Sequence, residues 1–463
     1  MKINQKKRGL FFIGKRFLIY FMAAGYFFLV CGCQKYLDAK PDKALAAPSS
    51  IGDLQALLDN NALNTSYPDS GDIACDDYFV GYNDWLSFSV NARNTYIWDA
   101  GAVNNFDWQY GYHNILVANV VLDNIDQVPS GSAAPGSVKG AALFFRGYNL
   151  YQLANVYTAP YNRSVSGQDL GIPLELKADI TAKTTRSSLE ATYQQIIGDL
   201  KLAALLLPDV PTVKTRPSRP AAFGALARVY LAMQDYANAN LYADSCLGIY
   251  HSLINYNTLD TASLNPFSLF NDEVIFHASS IAYDDVVDPY YARVDTILYG
   301  TYSGNDLRKY LFYVYAENGH YAFKGDYVGQ SYGSLFNGIA TDEVLLTRAE
   351  TFVRLGNVSA GIKDLNSLLA TRFAAGTYVP YSSEMAADDA LALILKERRK
   401  ELAFRGELRW ADLRRLNQDP RFAVTLRRNL NGKGYTLLPN DKRYAFILPP
   451  TVIQMSGIPQ NPR

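Results

Sequence analysis

Histidine is scarce in this chain, paired cysteine is missing, and neither sign of charge is in excess. Each shortage removes a class of chemistry. The four histidines, His113, His251, His277 and His320, never form an HExxH pair, and the four cysteines give no CxxC, so a zinc or redox centre is not expected. A Walker loop and a GxGxxG fingerprint are also missing, which leaves no metal, no cofactor and no catalytic residue to name. Lys+Arg and Asp+Glu both number 44, giving zero net charge, whereas a nucleic-acid binder carries a basic excess. Carboxylates are plentiful, so a glycosidase-like pair involving Asp76 or Asp77 stays a minor alternative. Adjacent acids in an Asn- and Gly-rich stretch are more often solvated or turn-forming.

The unbroken uncharged run from Phe17 to Val30 falls short of the roughly 20 apolar residues a spanning helix needs. Lys6, Lys7, Arg8, Lys15 and Arg16 precede it. A basic segment followed by about 7–15 apolar residues is an export signal. Val30-Cys31-Gly32-Cys33 resembles a bacterial lipobox, in which the cysteine thiol takes a diacylglycerol. The expected organisation is a lipoprotein signal at 1–32, an anchor at Cys33 with a polar linker to residue 50, and a globular remainder. An ordinary secretory signal with Cys33 incidental is the competing reading. Cys75 and Cys246 could pair in an oxidising envelope, but two cysteines define no framework.

What the sequence has in surplus is aromatic: 34 Tyr, 23 Phe and 4 Trp, 13% of the chain. Tyrosine suits half-exposed positions and binding surfaces. Residues 60–103 are rich in Asn, Asp, Ser, Gly and aromatics without a helical period, and read as a long irregular segment of the kind that carries function. From Asn104 onward helices dominate. Trp108, Tyr112, Ile115, Asn119 and Leu122 share a stripe, and Val138–Tyr157 is apolar nearly all round. Ser187 or Ser188 caps a helix that ends before Pro208. Residues 220–250 form a helical hairpin with small residues on its inner stripe, and a related hairpin surrounds Gly356-Asn357. Both resemble tetratricopeptide-type pairs, although no fixed period runs through the chain. Residues 251–340 read as loops with a few short strands. A last helix group runs from about Asp388 to Leu416, with Glu401 and Arg405 at i,i+4 spacing and Gly406 breaking the helix. Residues 396–416 carry eight Lys or Arg against four Asp or Glu, read as an ion-pair lattice joining helices.

Sugar rings stack on Trp and Tyr while amides and charged groups bond their hydroxyls. That chemistry singles out Tyr82, Trp85, Asn94 and Trp98 in one loop and Tyr290, Tyr291 and Tyr302 in another as candidate ligand-binding residues. For any one of them, packing loops onto the body is the plainer explanation.

Several segments together resemble the SusD/RagB family. They are CQKYLDAKP after the lipobox, the W-x3-Y-x2-I-x3-N spacing at Trp108, Tyr112, Ile115 and Asn119, and FFRGYNLYQLANVY at 144–157. GIPL at 171–174, SSLEATYQQIIGDL at 187–200, NDEVIF at 271–276, DEVLLTRAE at 342–350 and KERRKELAFRGELRWADLRR at 396–415 come after these in order. Two positions depart: Arg405, where an acid is common, and Pro450-Thr451-Val452-Ile453-Gln454, where the family tail is Pro-x-x-Glu-like. The resemblance implies an all-α dominated scaffold of four tetratricopeptide-like helix pairs with long irregular loops and a few short strands. Residues 51–215 would be its N-terminal region and 216–463 its C-terminal region, in one intimate unit. It further implies a surface-exposed outer-membrane lipoprotein that captures oligosaccharide as a lid over a SusC-like TonB-dependent barrel. Peptide capture of the RagB type and a lipid-anchored glycoside hydrolase are the alternatives.

Overall fold

Local signals set the helices. Ser50 opens α1 (Ile51–Leu58), its hydroxyl accepting the Asp53 N–H at 3.2 Å while Ile51, Leu54 and Leu58 turn inward. Asn104 caps α2 (Asn105–Asn124) in the same way. In α3 (Pro135–Tyr157) a proline in the first turn costs no hydrogen bond, and from Val138 to Tyr157 nearly every residue is buried, as the continuous apolar sequence requires. Ser188 caps α4 (Leu189–Leu206), which stops before Pro208. The chain continues with α5 (Arg219–Ala232), α6 (Tyr236–Ile249), α7 (Thr341–Arg354), α8 (Val358–Leu369), α9 (Ala387–Glu401), α10 (Leu408–Leu416) and α11 (Pro450–Ser456).

This computed structural model describes residues 48–129, 134–179, 181–280, 286–329 and 334–463. Cys33, the signal at 1–32 and the start of the linker lie outside them. Contacts divide the chain into Met1–Ser49 and Ser50–Arg463, and helices α1 to α11 all belong to the second unit. From α2 to α8 each helix packs on the next, and α9 packs on α7 and α8. The fold is a helix-pair scaffold with short strands only. Gly361 lets α7 and α8 close up, since a Cβ there would stand 2.6 Å from the Ala349 carbonyl oxygen.

A second layer sits on this scaffold. It is built from residues 73–98 and the long connection between α6 and α7, and it has its own aromatic core: Tyr78, Tyr96, Tyr256, Phe267, Tyr302, Phe312, Tyr313, Tyr327, Phe336 and Phe404 among others. Its two-stranded antiparallel ribbons join distant stretches. β1 (Tyr78–Phe79) pairs with β2 (Arg293–Val294), and β3 (Tyr313–Glu317) pairs with β4 (His320–Phe323). Nearer the C-terminus β5 (Leu426–Leu430) pairs with β6 (Lys433–Leu437).

Two expectations are corrected and one open point is answered. Residues 60–103 are not irregular: they hold a 3-10 turn, Asn61–Asn64, and short helices Ser70–Ala74, Tyr82–Ser87 and Val90–Tyr96. Helices of five to seven residues are shorter than the window over which a helical period becomes visible. The last helix group does break around Gly406, as expected: between α9 and α10 Phe404 and Glu407 adopt φ of 57° and 60° and Gly406 presses on Asn337. The break comes early enough to undo the expected Glu401–Arg405 pair, because α9 ends at Glu401. Finally, Cys75 and Cys246 are separate buried thiols, each directed at a backbone carbonyl, of Asp72 and Pro220 respectively.

The lattice expected at 396–416 extends far beyond its helices. Arg308 binds Asp306, Glu397 and Glu401 at 2.8, 2.6 and 2.9 Å. Arg372 bridges Glu401 and Glu273 at 2.7 and 2.8 Å. Arg405, the position that departs from the family pattern, binds Asp342 at 2.9 Å and lies 3.5 Å over the Tyr327 ring. Arg415 joins Asp412 to Glu350, and Arg228 clamps Glu343. Glu273, Asp342 and Glu401 stand close enough to share a cation, but their charge is already met by Arg372, Arg308 and Arg405. Such pairs contribute little net stability, yet removing one partner strands a buried charge. Arg372→Ala should therefore cost about 3–5 kcal/mol in urea unfolding. Arg421→Ala, which removes only exposed pairs with Asp388 and Asp419, should leave the midpoint essentially in place.

Candidate functional site

The β1–β2 pairing brings the two aromatic stretches singled out in the sequence side by side. Phe88, at the end of Tyr82–Ser87, meets Tyr291 edge to face at 5.2 Å, and Tyr291 meets Tyr290 at 4.8 Å. Tyr82 stacks on Trp85 at 6.0 Å with 25° between planes, and the Arg93 guanidinium covers the Trp85 ring at 5.7 Å. Trp85 is fixed from below by its indole N–H, which donates to the Arg93 carbonyl at 3.2 Å. Tyr290 is the most open of these rings, 76% exposed. Tyr299 and Tyr321 extend the aromatic surface, stacked at 3.9 Å.

Beside these rings lies a cleft of about 240 Å³. Its walls are Phe79 and Val80 of the β1 segment, Tyr96 and Trp98 after the helix Val90–Tyr96, Asp76, Asp295, and Arg427, Arg428 and Asn429 of β5. Trp98 adopts φ 57°, a left-handed conformation costly for a bulky residue, and its indole N–H donates to the Ala74 carbonyl at 2.9 Å. Arg428 packs its guanidinium over Tyr96 at 3.5 Å and Trp98 at 4.7 Å.

The sequence candidates thus separate. Tyr82 and Tyr290 are exposed, while Trp85 and Tyr291 beside them are half-buried against the second core. Asn94 is half-buried on the helix between Trp85 and Trp98. Trp98 is a buried wall of the cleft with only 2% of its surface exposed. Tyr302 is not on the surface: it is equally buried, and its hydroxyl contacts that of Tyr313 and donates to the Lys400 carbonyl. Tyr302 instead ties the second layer to α9. Asp77 is buried and Asp76 half-buried, and neither is a free surface acid. Burial would raise the Asp76 pKa, but Arg409 and Arg399, at 2.6 and 2.7 Å, hold its carboxyl well below the usual carboxylate range. Burial pushes Asp77 up to about 6 against the pull of Arg399, and its carboxylate accepts the Phe404 N–H at 3.1 Å. Asp76 is clamped by two arginines and Asp77 faces the core, so both carboxylates are engaged by the fold.

The sequence reading missed Arg427, Arg428 and Asn429. Asn431-Gly432, with φ of 50° and 81°, is a strong hairpin signal that could have located β5 and β6. A larger groove of about 330 Å³ is lined by Trp108, Tyr112, Asn119, Glu175 and Met455. Its amide and phenol serve the fold: Tyr112 donates to the Pro173 carbonyl, and Asn119 donates to those of Glu175 and Lys177. The W-x3-Y-x2-I-x3-N spacing is thus a clasp holding residues 173–177 on α2.

Residues 35–231 match a family model described as starch-binding associating with outer membrane, and residues 290–446 match the SusD family model. The helix-pair scaffold and these matches define a SusD-type protein, and the chain belongs to the SusD/RagB family. It is 29% identical to SusD-like protein P2 of Formosa agariphila over 142 residues, which is 30% of this chain and 26% of that relative. Its fold is shared with a SusD-like carbohydrate binding protein from Bacteroides vulgatus at TM-score 0.70 and 22% identity, covering 89% of this chain and 97% of the other. It is also shared with surface glycan-binding protein A from Bacteroides uniformis, at TM-score 0.67 and 16% identity, covering 88% and 98%. At these identities the likeness speaks for the fold. Among the described residues no helix is long and apolar enough to cross a membrane.

The division of the aromatics has a stability signature. Trp98→Ala should lower stability by about 3–5 kcal/mol, as for a core aromatic, while Tyr290→Ala should stay within about 0.5 kcal/mol. Thermal denaturation of both variants checks the contrast.

Proposed function

We propose that this chain is a non-catalytic outer-membrane lipoprotein that captures oligosaccharide and delivers it to a SusC-like TonB-dependent barrel. One observation carries the reading: Tyr82–Trp85 and Tyr290–Tyr291, far apart in sequence, are held on adjoining segments beside a cleft. Flat exposed rings suit the C–H faces of pyranoses, and Arg93, Asn94 and Asn429 supply donors and acceptors for hydroxyls. The family description and the named binding of the relatives support the same ligand class. Uptake by a separate barrel needs no catalytic residue in this subunit, and the clamped Asp76 speaks against a hydrolase.

Anchoring through Cys33 would hold the domain beside its barrel at high effective concentration, with the polar linker permitting it to swing. Soluble protein beginning at Gln34 should bind oligosaccharide with a change in tryptophan fluorescence. The triple variant Tyr82→Ala, Trp85→Ala, Tyr290→Ala should reduce affinity by about a hundredfold, since each stacking contact contributes on the order of 1 kcal/mol. Unchanged affinity removes these rings from the site, and capture of peptides with no glycan bound replaces the reading with the RagB type. Replacing Cys33 with Ala in the full chain should release the protein from the membrane fraction and impair uptake. Undiminished uptake by the released protein would make the anchor incidental.

A further inference from the structure

The charges around the cleft do not cancel. Arg399 and Arg409 bind Asp76, and Arg399 also faces the buried Asp77 at 3.8 Å. Asp295 is engaged in capping the helix Thr296–Gly300, accepting the Leu298 N–H at 2.9 Å, with Arg399 4.0 Å away. Asn429 accepts the Gly432 N–H at 2.9 Å and carries no charge.

Against this stand arginines without carboxylate partners. Arg428 is buried, yet its guanidinium donates only to backbone carbonyls, those of Tyr96, Ile73 and Cys75, and is otherwise enclosed by the rings of Tyr96, Trp98 and Tyr78. A guanidinium stays ionised at all accessible pH, and carbonyl dipoles and ring faces attract it without cancelling its charge. Arg427 is next to it on β5, on the outward face of the alternating strand, exposed and with no hydrogen bond or ion pair among the described residues. On the flank, Arg93 rests on the Trp85 ring with no carboxylate partner among the described residues. Asp84, half-buried near Tyr82, and Asp288, which accepts the Tyr290 N–H at 2.7 Å, are carboxylates on that side. The cleft therefore presents a fixed positive wall behind a free positive lip, with aromatic rings alongside.

We infer that this cleft selects sugars bearing an anionic substituent, a uronate carboxylate or a sulfate ester, with Arg427 binding the anion directly and Arg428 setting the field behind it. The inference rests on the glycan-capture reading and narrows it. A planar fork of N–H donors matches two oxygens of a carboxylate or sulfate at once. A neutral sugar would leave both cations without a counter-charge, while an anionic one supplies it at the place where the fold does not.

The test is calorimetric binding to four probes: oligogalacturonate, its methyl ester, sulfated carrageenan oligosaccharide, and the same backbone desulfated. Wild-type protein should prefer one charged probe over its neutral counterpart by about tenfold or more, a charge-assisted hydrogen bond being worth that much. The preference should shrink as salt is raised. Whether the carboxylated or the sulfated probe wins identifies the anion. Arg427→Gln, at an exposed position, should fold normally and bring its affinity for the charged probe down to that for the neutral counterpart. Equal binding of charged and neutral members of both pairs, or a preference unchanged in Arg427→Gln, overturns the inference while leaving glycan capture intact. No binding to any glycan, together with binding of peptides, overturns the capture reading as well.

Discussion

Everything above the helices depends on buried arginine–carboxylate pairing. Arg308 and Arg372 are fully buried, and between them they reach Asp306, Glu397, Glu401 and Glu273. These acids come from α9 and from the connection between α6 and α7, so the pairs join the second layer to the scaffold. Apolar contact alone is non-directional and would let a layer of short ribbons slide. A guanidinium whose every donor must be matched tolerates one arrangement. That is the value of an otherwise costly interior: it fixes geometry more than it adds stability.

The consequence reaches the cleft. Arg399 and Arg409, on α9 and α10, grip Asp76, and Asp76 lies two residues before β1. Tyr302 donates to the Lys400 carbonyl on the same helix as Arg399. The ribbon of β1 and β2 is therefore hung from the scaffold by charged and polar ties, and the rings of Tyr82, Trp85, Tyr290 and Tyr291 are carried at its edges. The surplus of tyrosine serves both ends of this arrangement: buried tyrosines fill the second core while their hydroxyls bond across it, and exposed ones form the surface.

Much of the scaffold was legible because its signals are local and repeated. Ser188 caps where expected, and the small stripe of α5 and α6 predicts a tight hairpin. The arginine-rich stretch at 396–416 is recognisable as a lattice, although its partners, such as Glu350, Asp76 and Asp342, lie far away and could not be named. The second layer was less readable. Its helices are too short to show a period, and its pairings, Tyr78 with Val294 among them, join residues that no spacing rule connects. Of the aromatic candidates, Tyr82 and Tyr290 lie at the surface while Trp98 and Tyr302 turn inward. Composition cannot tell an aromatic that packs a loop from one that faces out of it. Arg427 and Arg428 escaped notice because a lone Arg-Arg pair in a strand carries no motif; only the missing carboxylates around them give it meaning.

If the ribbon-borne aromatic cleft, and not the helical surface, is where ligand is met, binding must leave its mark there. Amide hydrogen exchange measured with and without saturating oligosaccharide tests this most directly. Protection on binding should concentrate in residues 78–98, 286–302 and 426–430, with the helices α2 to α8 unchanged because the lattice already holds them rigid. Protection centred instead on the groove of Trp108, Tyr112 and Met455, with none in the ribbon, would contradict it.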